Sequence, residues 1–421
     1  MKKLFLLLIG CISLMVSCQN DGFDDVYGMK NHYINNPADT GLDSISAKAL
    51  AFVTDLHKET RSGMNGISVA SVYPWRVCDM FRQTRSIDSN LSTDTLLYIV
   101  NFDNDNGFAL VSACDSFDGV VAYIESGSLH PNDEIDNPGF QLFLERMPRF
   151  LSEYCNPEDS AQICSDPFPR PDPGPLPIDT TITETWRITE FYSPMLSTEW
   201  GQLGPYNRLC YTENGDRAVA GCGAIAASQI VAYHQYPSSY GNHNYLWNDI
   251  LSGVSPQTEN GKTSVSELVS DVGQLIRTNY GMLESSSYTD SVKYCWEAFG
   301  YHYQLQSFNN DSCFVDFQND RPVYMRGTRY VSGIGFVGHA WVIDGGFTKE
   351  RTLYSYNPLQ VSYEVQQFIH CNWGWNGEDN GYYIAGAFET KYDSNGCNPT
   401  PAYPFFNSYM RTYNRIYPLN P

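Results

Sequence analysis

The chain has 421 residues, more than one hydrophobic core usually organises, so we expect two domains. Hydrophobic residues make up 42% of it and aromatic residues 14%, which excludes a disordered or collagen-like chain. With 26 Lys and Arg against 47 Asp and Glu, the formal net charge is -21, which repels phosphate backbones. We therefore expect a folded globular protein without a nucleic-acid partner.

The amino terminus has the pattern of an export signal. Lys2 and Lys3 precede an apolar run over residues 4–16, which is too short to span a bilayer comfortably. No later stretch of the sequence is long and apolar enough for a transmembrane helix. We predict a signal peptide over residues 1–17 and a mature protein outside the cytoplasm.

Cys18 directly follows a small residue at the end of this run. The arrangement resembles the bacterial lipobox, in which signal peptidase cuts before a Cys that is then lipidated. Met15 departs from the Leu that usually stands three positions before that Cys. We expect a lipid on Cys18 as the protein's one contact with a membrane, which predicts an outer-membrane or cell-surface lipoprotein, or a form released from it. An ordinary secretory signal cleaved nearby is the alternative.

The first block after the signal predicts a small α+β domain. Strands are predicted at 96–102, 107–112 and 120–124. Residues 103–106 form a turn-rich Asp and Asn sequence that indicates a hairpin between the first two strands. Apolar side chains at helical spacing over 140–154 predict an amphipathic helix covering one face of the sheet. We place this domain, with its spacer, at residues 18–155.

A proline-rich segment follows. Between residues 166 and 177, proline stands at nearly every second position, which prevents both helix and sheet pairing. We predict an extended linker over residues 156–184, with a Pro-rich ligand for another protein as the rival interpretation. The second block, residues 185–421, reads as helical in its first part and strand-rich in its second.

Cys222 stands in the most informative stretch of the chain. Small residues surround it, and the sequence that follows favours a helix up to Pro237. Cys222 would lie in the first turn of that helix, where unpaired N–H groups and the positive dipole end stabilise a thiolate. A buried structural cysteine is the alternative for a lone Cys.

Two later motifs supply partners for a reactive thiol. His339 stands at the start of a predicted strand that closes in a turn at Gly345 and Gly346, which would hold a base rigidly. Asn372 and Trp373 end another predicted strand, where the amide could orient a histidine ring and the indole could exclude water. We interpret the other histidines of this block as structural: His234, His243, His302 and His370.

Four motifs together, in this chain order, resemble the streptopain-like cysteine peptidases, a papain-fold family with streptococcal and Bacteroides members. They are Trp200-Gly201-Gln202, Gly221-Cys222-x-Ala224-x-Ala226, Gly338-His339-Ala340 and Asn372-Trp373-Gly374-Trp375-x-Gly377. The first block is similar to the propeptide of that family through Asn101-Phe102, the segment from Gly107 to Ser112, and Asp115. The resemblance therefore spans nearly all of the chain after the signal.

The resemblance implies an α+β architecture: a papain-like catalytic domain, made of a helical part and an antiparallel sheet, after a small α+β propeptide domain. It implies a cysteine endopeptidase made as a zymogen, with protein or peptide substrates, its own propeptide as inhibitor and activation by cleavage in the linker. Cys222 would be the nucleophile and His339 the base and acid. Gln202 and the Cys222 N–H would bind the oxyanion, while Asn372 orients His339 and Trp373 shields it. The segment 394–401 replaces the glycine-rich C-terminal loop of the family.

Other functions remain open at this stage. The chain could be a catalytically inactive surface binding protein or inhibitor on this scaffold, or a papain-fold acyl transferase of the transglutaminase type. A zinc site is the weakest alternative, because the candidate ligands lack the usual loop spacing. Those ligands would be His370, Cys371, Cys222 and His339. We expect no cofactor and no metal.

We expect different chemical states for the 12 cysteines. Cys11 leaves with the signal, Cys18 takes the lipid and Cys222 must stay reduced, which leaves nine, an odd number that cannot all pair internally. We therefore predict an enzyme that is sensitive to oxidation and needs reducing conditions.

Overall fold

The structure of the protein is a computed structural model in which only part of the chain is described. The described residues are 40–60, 66–83, 95–155 without 115 and 118, 180–288 without 183, 290–356 without 332–334, 359–389 and 409–419. The predicted signal over residues 1–17, Cys18, the proline-rich run 166–177 and the segment 394–401 lie outside these residues.

The first block has a mixed helix and strand composition. Its elements are α1 (Thr40–Thr60), β1 (Val69–Arg76), α2 (Val77–Gln83), β2 (Thr95–Phe102), β3 (Phe108–Ser112), β4 (Val120–Ile124) and α3 (Pro138–Cys155). Strands β2, β3 and β4 and helix α3 lie where the sequence pattern predicts them. The β2–β3 connection is the predicted turn, and Asn104 and Asp105 in it both have φ of 58°.

Helix α3 begins at a well-defined cap. The side-chain oxygen of Asn137 accepts hydrogen bonds from the N–H groups of Gly139 (3.0 Å) and Phe140 (3.3 Å), and Pro138 occupies the first helical position. The apolar side of α3 is buried from Phe140 to Leu151, as the periodicity predicts, whereas Tyr154 at its end is exposed. Its buried aromatic and aliphatic side chains include Phe140, Phe143, Met147, Phe150 and Leu151.

The second block begins with two short strands, continues mainly with helices and ends mainly with strands. Residues 180–182, inside the linker predicted over 156–184, form the first of these strands, so the end of that segment pairs into the sheet and is not a free linker as predicted. The early elements of the block are β5 (Thr180–Ile182), β6 (Arg187–Tyr192), α4 (Cys222–His234), β7 (Ser239–Tyr240), β8 (His243–Asn244), α5 (Trp247–Ile250), α6 (Glu259–Leu275) and α7 (Val292–Phe299). Its later elements are β9 (Tyr301–Ser307), α8 (Asn310–Phe317), β10 (Val323–Val331), β11 (Gly335–Tyr356), β12 (Leu359–Asn372), β13 (Gly381–Ile384), a 3-10 turn (Ala385–Phe388) and β14 (Tyr409–Pro418).

One antiparallel sheet joins the two blocks. Within the described residues its strand order is β1-β2-β3-β4-β13-β12-β11-β10-β14-β9, and β5 and β6 both pair with β11. The junction is the pairing of β4 with β13, in which Tyr123 lies opposite Tyr382. The first block therefore extends the sheet of the second one by hydrogen bonds between backbones.

The two faces of this sheet bury different cores. Because successive side chains of a strand alternate between faces, Trp341 and Ile343 of β11 pack into a core shared with the first block. Ala340 and Val342 of the same strand pack against α4, α6 and α7. Strand β11 thus lies between the first block on one side and the Cys222 helix on the other.

The predicted glycine turn at residues 345–346 is wrong, because β11 continues through it to Tyr356. A register shift between Ile343 and Gly345 interrupts the β11–β12 ladder at this point. A Cβ on Gly345 would lie 2.8 Å from the carbonyl oxygen of Tyr192. This glycine therefore allows a neighbouring segment to approach closely and does not reverse the chain.

The described cysteines have two states. Cys114 is disulfide-bonded, whereas the thiols of Cys210, Cys295, Cys313 and Cys371 are unoxidised and buried. Within the described part of the chain, no cluster of three or more His, Cys, Asp or Glu side chains could hold a metal ion. None of the helices described here is long and apolar enough to cross a membrane.

Candidate active site

Cys222 is the first residue of α4. The preceding Gly221 has φ of 89°, a conformation that L side chains rarely adopt. The thiol is partly buried and receives backbone N–H groups from Cys222, Gly223 and Ala340. Burial raises the pKa of this thiol, and these three hydrogen bonds oppose the rise without cancelling it. In this structure Cys222 is therefore a neutral thiol, held against the residue that follows His339.

His339 lies on β11 and is 4% exposed. Its Nε2 lies 2.8 Å from the backbone carbonyl oxygen of Trp373, and because a carbonyl can only accept, Nε2 carries the proton. The ring is stacked on the indole of Trp341, with centroids 6.0 Å apart. Burial lowers the pKa of His339 to about 4, although the Trp373 carbonyl favours the protonated form. The imidazole is therefore neutral at physiological pH.

Asn372 ends β12 beside this histidine, and Trp373 follows it. The Asn372 amide donates to the carbonyl of Thr198 (2.6 Å) and accepts from Nε2 of Gln229 (3.2 Å) and the N–H of Gly374 (3.2 Å). The hydrogen bond that orients His339 here comes from the backbone of Trp373. The Trp373 indole is fully buried, with its centroid 6.4 Å from that of His339.

Gln202 is placed next to Cys222 by its own backbone. Its carbonyl accepts a 2.9 Å hydrogen bond from the N–H of Ala220, two residues before the nucleophile candidate. The N–H of Asn376 donates to the carbonyl of Trp200 (3.2 Å), which connects the Gln202 segment to the turn after Trp373. The structure therefore places Gln202 beside the segment before Cys222, and His339 beside Trp373, with Ala340 as the link between Cys222 and the His339 strand.

The first block covers this region with the beginning of α3. A Cβ on Gly139 would overlap the Trp373 ring and lie 2.9 Å from Cδ2 of His339, so only glycine fits there. The Asn137 amide donates to the carbonyl of Glu378 (3.3 Å). Burial raises the pKa of the nearby Asp379 to about 6, against a hydrogen bond from Asn137. The helix cap of the first block is thus in direct contact with the candidate active site.

His370 connects the two blocks through charge. Its Nδ1 lies 2.6 Å from a carboxylate oxygen of the fully buried Asp344, and its Nε2 lies 3.4 Å from the Glu125 carboxylate at the end of β4. Burial alone would lower the pKa of His370, but the two carboxylates outweigh it and raise the value to about 10. His370 is therefore a cation between the two acids, which agrees with its interpretation as a structural residue.

Sequence patterns did not reveal two groups of this region. The cap residues Asn137 and Gly139 belong to a correctly predicted helix, but their contact with Trp373 depends on long-range packing. The position of Gln229 could have indicated its place in this region, because it stands seven residues after Cys222 and so lies on the same face of α4.

Comparisons with known proteins match both blocks of the chain. A family model described as Spi protease inhibitor matches residues 44–149, and one described as Peptidase C10 family matches residues 200–383. Streptopain of Streptococcus pyogenes is 26% identical over 332 residues, which cover 68% of this chain and 73% of streptopain. The chain is a streptopain-like cysteine peptidase with its propeptide.

Further similarities agree with this family. The streptopain-like peptidase is 25% identical to the thiol protease/hemagglutinin PrtT of Porphyromonas gingivalis, across 68% of this chain and 33% of that protein. The solved structure of a Prevotella intermedia prointerpain A fragment has a TM-score of 0.50 at 22% identity, covering 78% of this chain and 97% of that one. This likeness shows that the two share a fold.

The fold and activity implied by the sequence motifs are confirmed. The protein is the zymogen of a cysteine-type endopeptidase with protein substrates, and its first block is an intramolecular inhibitor. The inactive scaffold and the acyl transferase are not favoured. We call the first block the propeptide and the second block the catalytic domain from here on.

Proposed function

We propose that Cys222 is the nucleophile of this endopeptidase and His339 its general base and acid. The observation that supports this assignment is the packing of Cys222, at the start of α4, against the cluster that contains Ala340, the residue that follows His339. The Ala340 backbone also favours the Cys222 thiolate. With Nε2 bound to the Trp373 carbonyl, Nδ1 is the nitrogen that can take the thiol proton.

The reaction then proceeds in two halves. The Cys222 thiolate attacks the peptide carbonyl, and the resulting oxyanion receives hydrogen bonds from the Gln202 amide and the Cys222 N–H. His339 gives its Nδ1 proton to the leaving amine, which departs as the carbon–nitrogen bond breaks and leaves a thioester on Cys222. His339 next takes a proton from water, whose oxygen attacks the thioester and releases the acid and the thiol.

The propeptide keeps this pair uncharged. Burial both raises the pKa of Cys222 and lowers the pKa of His339, so each change disfavours the thiolate and imidazolium that the reaction needs. Departure of α3 from Trp373 would admit water to the site and remove that burial. Asn372 and Trp373 would then hold His339 in the active enzyme, with the Trp373 indole excluding water from the hydrogen bond.

The enzyme acts outside the cytoplasm, and Cys18 anchors it to a bacterial membrane through a lipid. The disulfide of Cys114 supports this location, because disulfides persist in oxidising compartments. The lipobox-like sequence before Cys18 supports the anchor. Cys18→Ser should abolish incorporation of labelled fatty acid and release the protein from membranes. Continued labelling of that variant would refute the anchor.

The assignment of Cys222 is tested with the full-length chain. Cys222→Ala should abolish both casein cleavage and self-processing, whereas Cys295→Ala, which removes a buried thiol elsewhere, should retain both per folded molecule. A Cys222→Ala protein that still matures by itself and cleaves casein would refute the proposal. Mass spectrometry of the mature N-terminus should place the activating cut within residues 156–184, and a start inside β2 to β4 contradicts the domain boundary.

A further inference from the structure

Gln229 is a fully buried amide in the helix that begins at Cys222. It stands seven residues, or about two turns, after Cys222, so the two side chains lie on the same face of α4. A buried amide needs partners for its donors and its acceptor, because unsatisfied polar groups are costly. The partners of Gln229 come from two other segments of the active site.

The first partner segment precedes Gln202. Oε1 of Gln229 accepts hydrogen bonds from the Thr198 hydroxyl (2.8 Å) and from the N–H of Trp200 (3.4 Å). Thr198 is 3% exposed and the Trp200 side chain is fully buried, so water does not compete for these bonds. The chain that carries the oxyanion donor is therefore fixed to α4 two residues before Gln202.

The second partner segment is the end of β12. Nε2 of Gln229 donates to the side-chain oxygen of Asn372 (3.2 Å), and the Asn372 amide donates back to the carbonyl of Thr198 (2.6 Å). Gln229, Asn372 and Thr198 thus form a closed ring of hydrogen bonds. Trp373, whose carbonyl holds His339, follows directly in the chain.

We propose that Gln229 is a positioning residue, which holds the Gln202 segment and the Asn372 segment in register with the Cys222 helix. The inference rests on the proposed roles of Cys222 and His339. Gln229 acts through Thr198 and Asn372 and does not itself contact the reacting atoms. An error of about 1 Å in the placement of such groups can cost about 100-fold in rate, so one amide that aligns three segments has a large effect.

The ring needs an amide at this position. A methionine has a similar length but neither donates nor accepts a normal hydrogen bond, so Gln229→Met removes all three contacts of the side chain. In Gln229→Glu, both carboxylate oxygens are acceptors, so neither can donate a hydrogen bond to the side-chain oxygen of Asn372. When that carboxyl is protonated, its O–H can again donate to Asn372, so this variant should regain part of its function at low pH.

The test measures kcat and KM per titrated Cys222 thiol in the full-length chain after activation. Gln229→Met should lower kcat by about 10- to 100-fold with KM changed less than about threefold. The kcat ratio of Gln229→Glu to wild type should rise as the pH falls from about 8 to 5. Ser228→Ala is the matched control, because it removes a neighbouring buried hydroxyl that has no hydrogen-bond partner within the described structure.

Two results would overturn the inference: Gln229→Met with the kcat of Ser228→Ala, or a Gln229→Glu ratio that is constant with pH. If both variants fail to fold, Thr198→Val replaces them, because it removes one hydroxyl donor from the ring. This variant should lower kcat about 3- to 10-fold at unchanged KM. A Thr198→Val enzyme with the wild-type kcat would refute the proposal. Cys222→Ala in parallel separates the two claims. Activity in that variant refutes the proposed function, whereas an inactive Cys222→Ala beside a fully active Gln229→Met refutes the positioning role alone.

Discussion

The Nε2 atom of His339 donates a 2.8 Å hydrogen bond to the carbonyl oxygen of Trp373. This bond keeps the neutral imidazole in one tautomer and leaves Nδ1 as its basic nitrogen. If His339 is the base, as we propose, its Nδ1 is unprotonated in the zymogen and could accept a proton. On that proposal the zymogen disfavours proton transfer from Cys222, because burial raises the pKa of the thiol and lowers the pKa of the imidazole to about 4.

The first prediction concerns the reactivity of Cys222 with pH. In the full-length chain, alkylation of Cys222 by iodoacetamide should be slow at pH 7 and rise only above the ordinary cysteine pKa, since only thiolate reacts. After activation the rate at pH 7 should increase by at least about 10-fold and extend to acidic pH. Peptide mapping separates Cys222 from the buried Cys210 and Cys295, which serve as internal controls. Identical pH profiles before and after activation would contradict this account of latency.

The second prediction concerns the contact between Gly139 and Trp373. Gly139→Ala would force a methyl group into the indole, and such overpacking typically costs about 1 to 3 kcal/mol. The closed zymogen should lose this amount relative to the open one, which increases Cys222 alkylation in the unprocessed chain by about 5- to 150-fold. Ser152→Ala, farther along α3, should leave the rate unchanged. An unchanged rate in Gly139→Ala would mean that α3 does not restrict access to the thiol.

The third prediction concerns the link between Glu125 and His370. Burial would raise the pKa of Glu125, but the hydrogen bond and charge of His370 lower it overall, so this link is present above the ordinary carboxyl pKa and lost as the pH falls through the lowered value. The pKa of His370 is raised to about 10, so its contribution is complete below pH 6.5 and is lost as the pH rises towards 10. The link should therefore be strongest between about pH 5 and 6.5.

This pH dependence can be isolated with Glu125→Gln in the inactive Cys222→Ala chain. The variant should melt about 1 to 2 °C below its parent near pH 6, and the difference should shrink as the pH falls below the ordinary carboxyl pKa. The variant must be compared with its parent at each pH, because Asp379 also titrates. Burial raises the pKa of Asp379, so its contribution to stability is lost as the pH rises, opposite to that of Glu125. Asp133→Asn removes an exposed ion pair with His130 elsewhere in the propeptide and should not alter the melting temperature. A pH-independent difference would exclude an electrostatic link.

The fourth prediction concerns Gly201, whose missing Cβ leaves room for the side chain of Asn376. Gly201→Ala would displace the Gln202 segment and should lower kcat by about 10- to 100-fold. Adding Asn376→Gly removes the obstructing side chain, so the double variant should recover most of that loss. Asn376 has φ of 57°, which glycine adopts readily, and Asn376→Gly alone should be nearly silent. A double variant as slow as Gly201→Ala would exclude this steric explanation.

Local sequence patterns were sufficient for much of the fold. The alternation of strands β2 to β4, the turn at Asn104 and the helical period of α3 are local properties, and the structure shows all of them. The turn predicted at Gly345 and Gly346 was wrong because glycine suits both a turn and a close approach of two segments, and each needs a missing side chain. Only the packing of Tyr192 beside β11 distinguishes the two.

In the candidate site, too, residues with a local sequence signal could be predicted, whereas contacts between distant segments could not. Cys222 and Asn372 could be found because each stands at the end of an element, and His339 because small and aromatic residues flank it. His339 does not begin its strand as predicted, because β11 starts at Gly335. The Trp373 carbonyl as partner of His339 could not, because a backbone acceptor leaves no trace in residue identity. The Gln229–Asn372 hydrogen bond and the contact of Gly139 with Trp373 join residues more than 140 positions apart. Such pairings follow from the tertiary fold.

The pairing of β4 with β13 also affects the mature enzyme. Gly381, Tyr382 and Tyr383 use backbone groups on one side of β13 to pair with the propeptide. Loss of the propeptide would turn β13 into an edge strand, whose free N–H and C=O groups can accept another extended chain. Maturation would therefore exchange an internal inhibitor for an open sheet edge, which can recapture the released propeptide or pair with a second enzyme molecule.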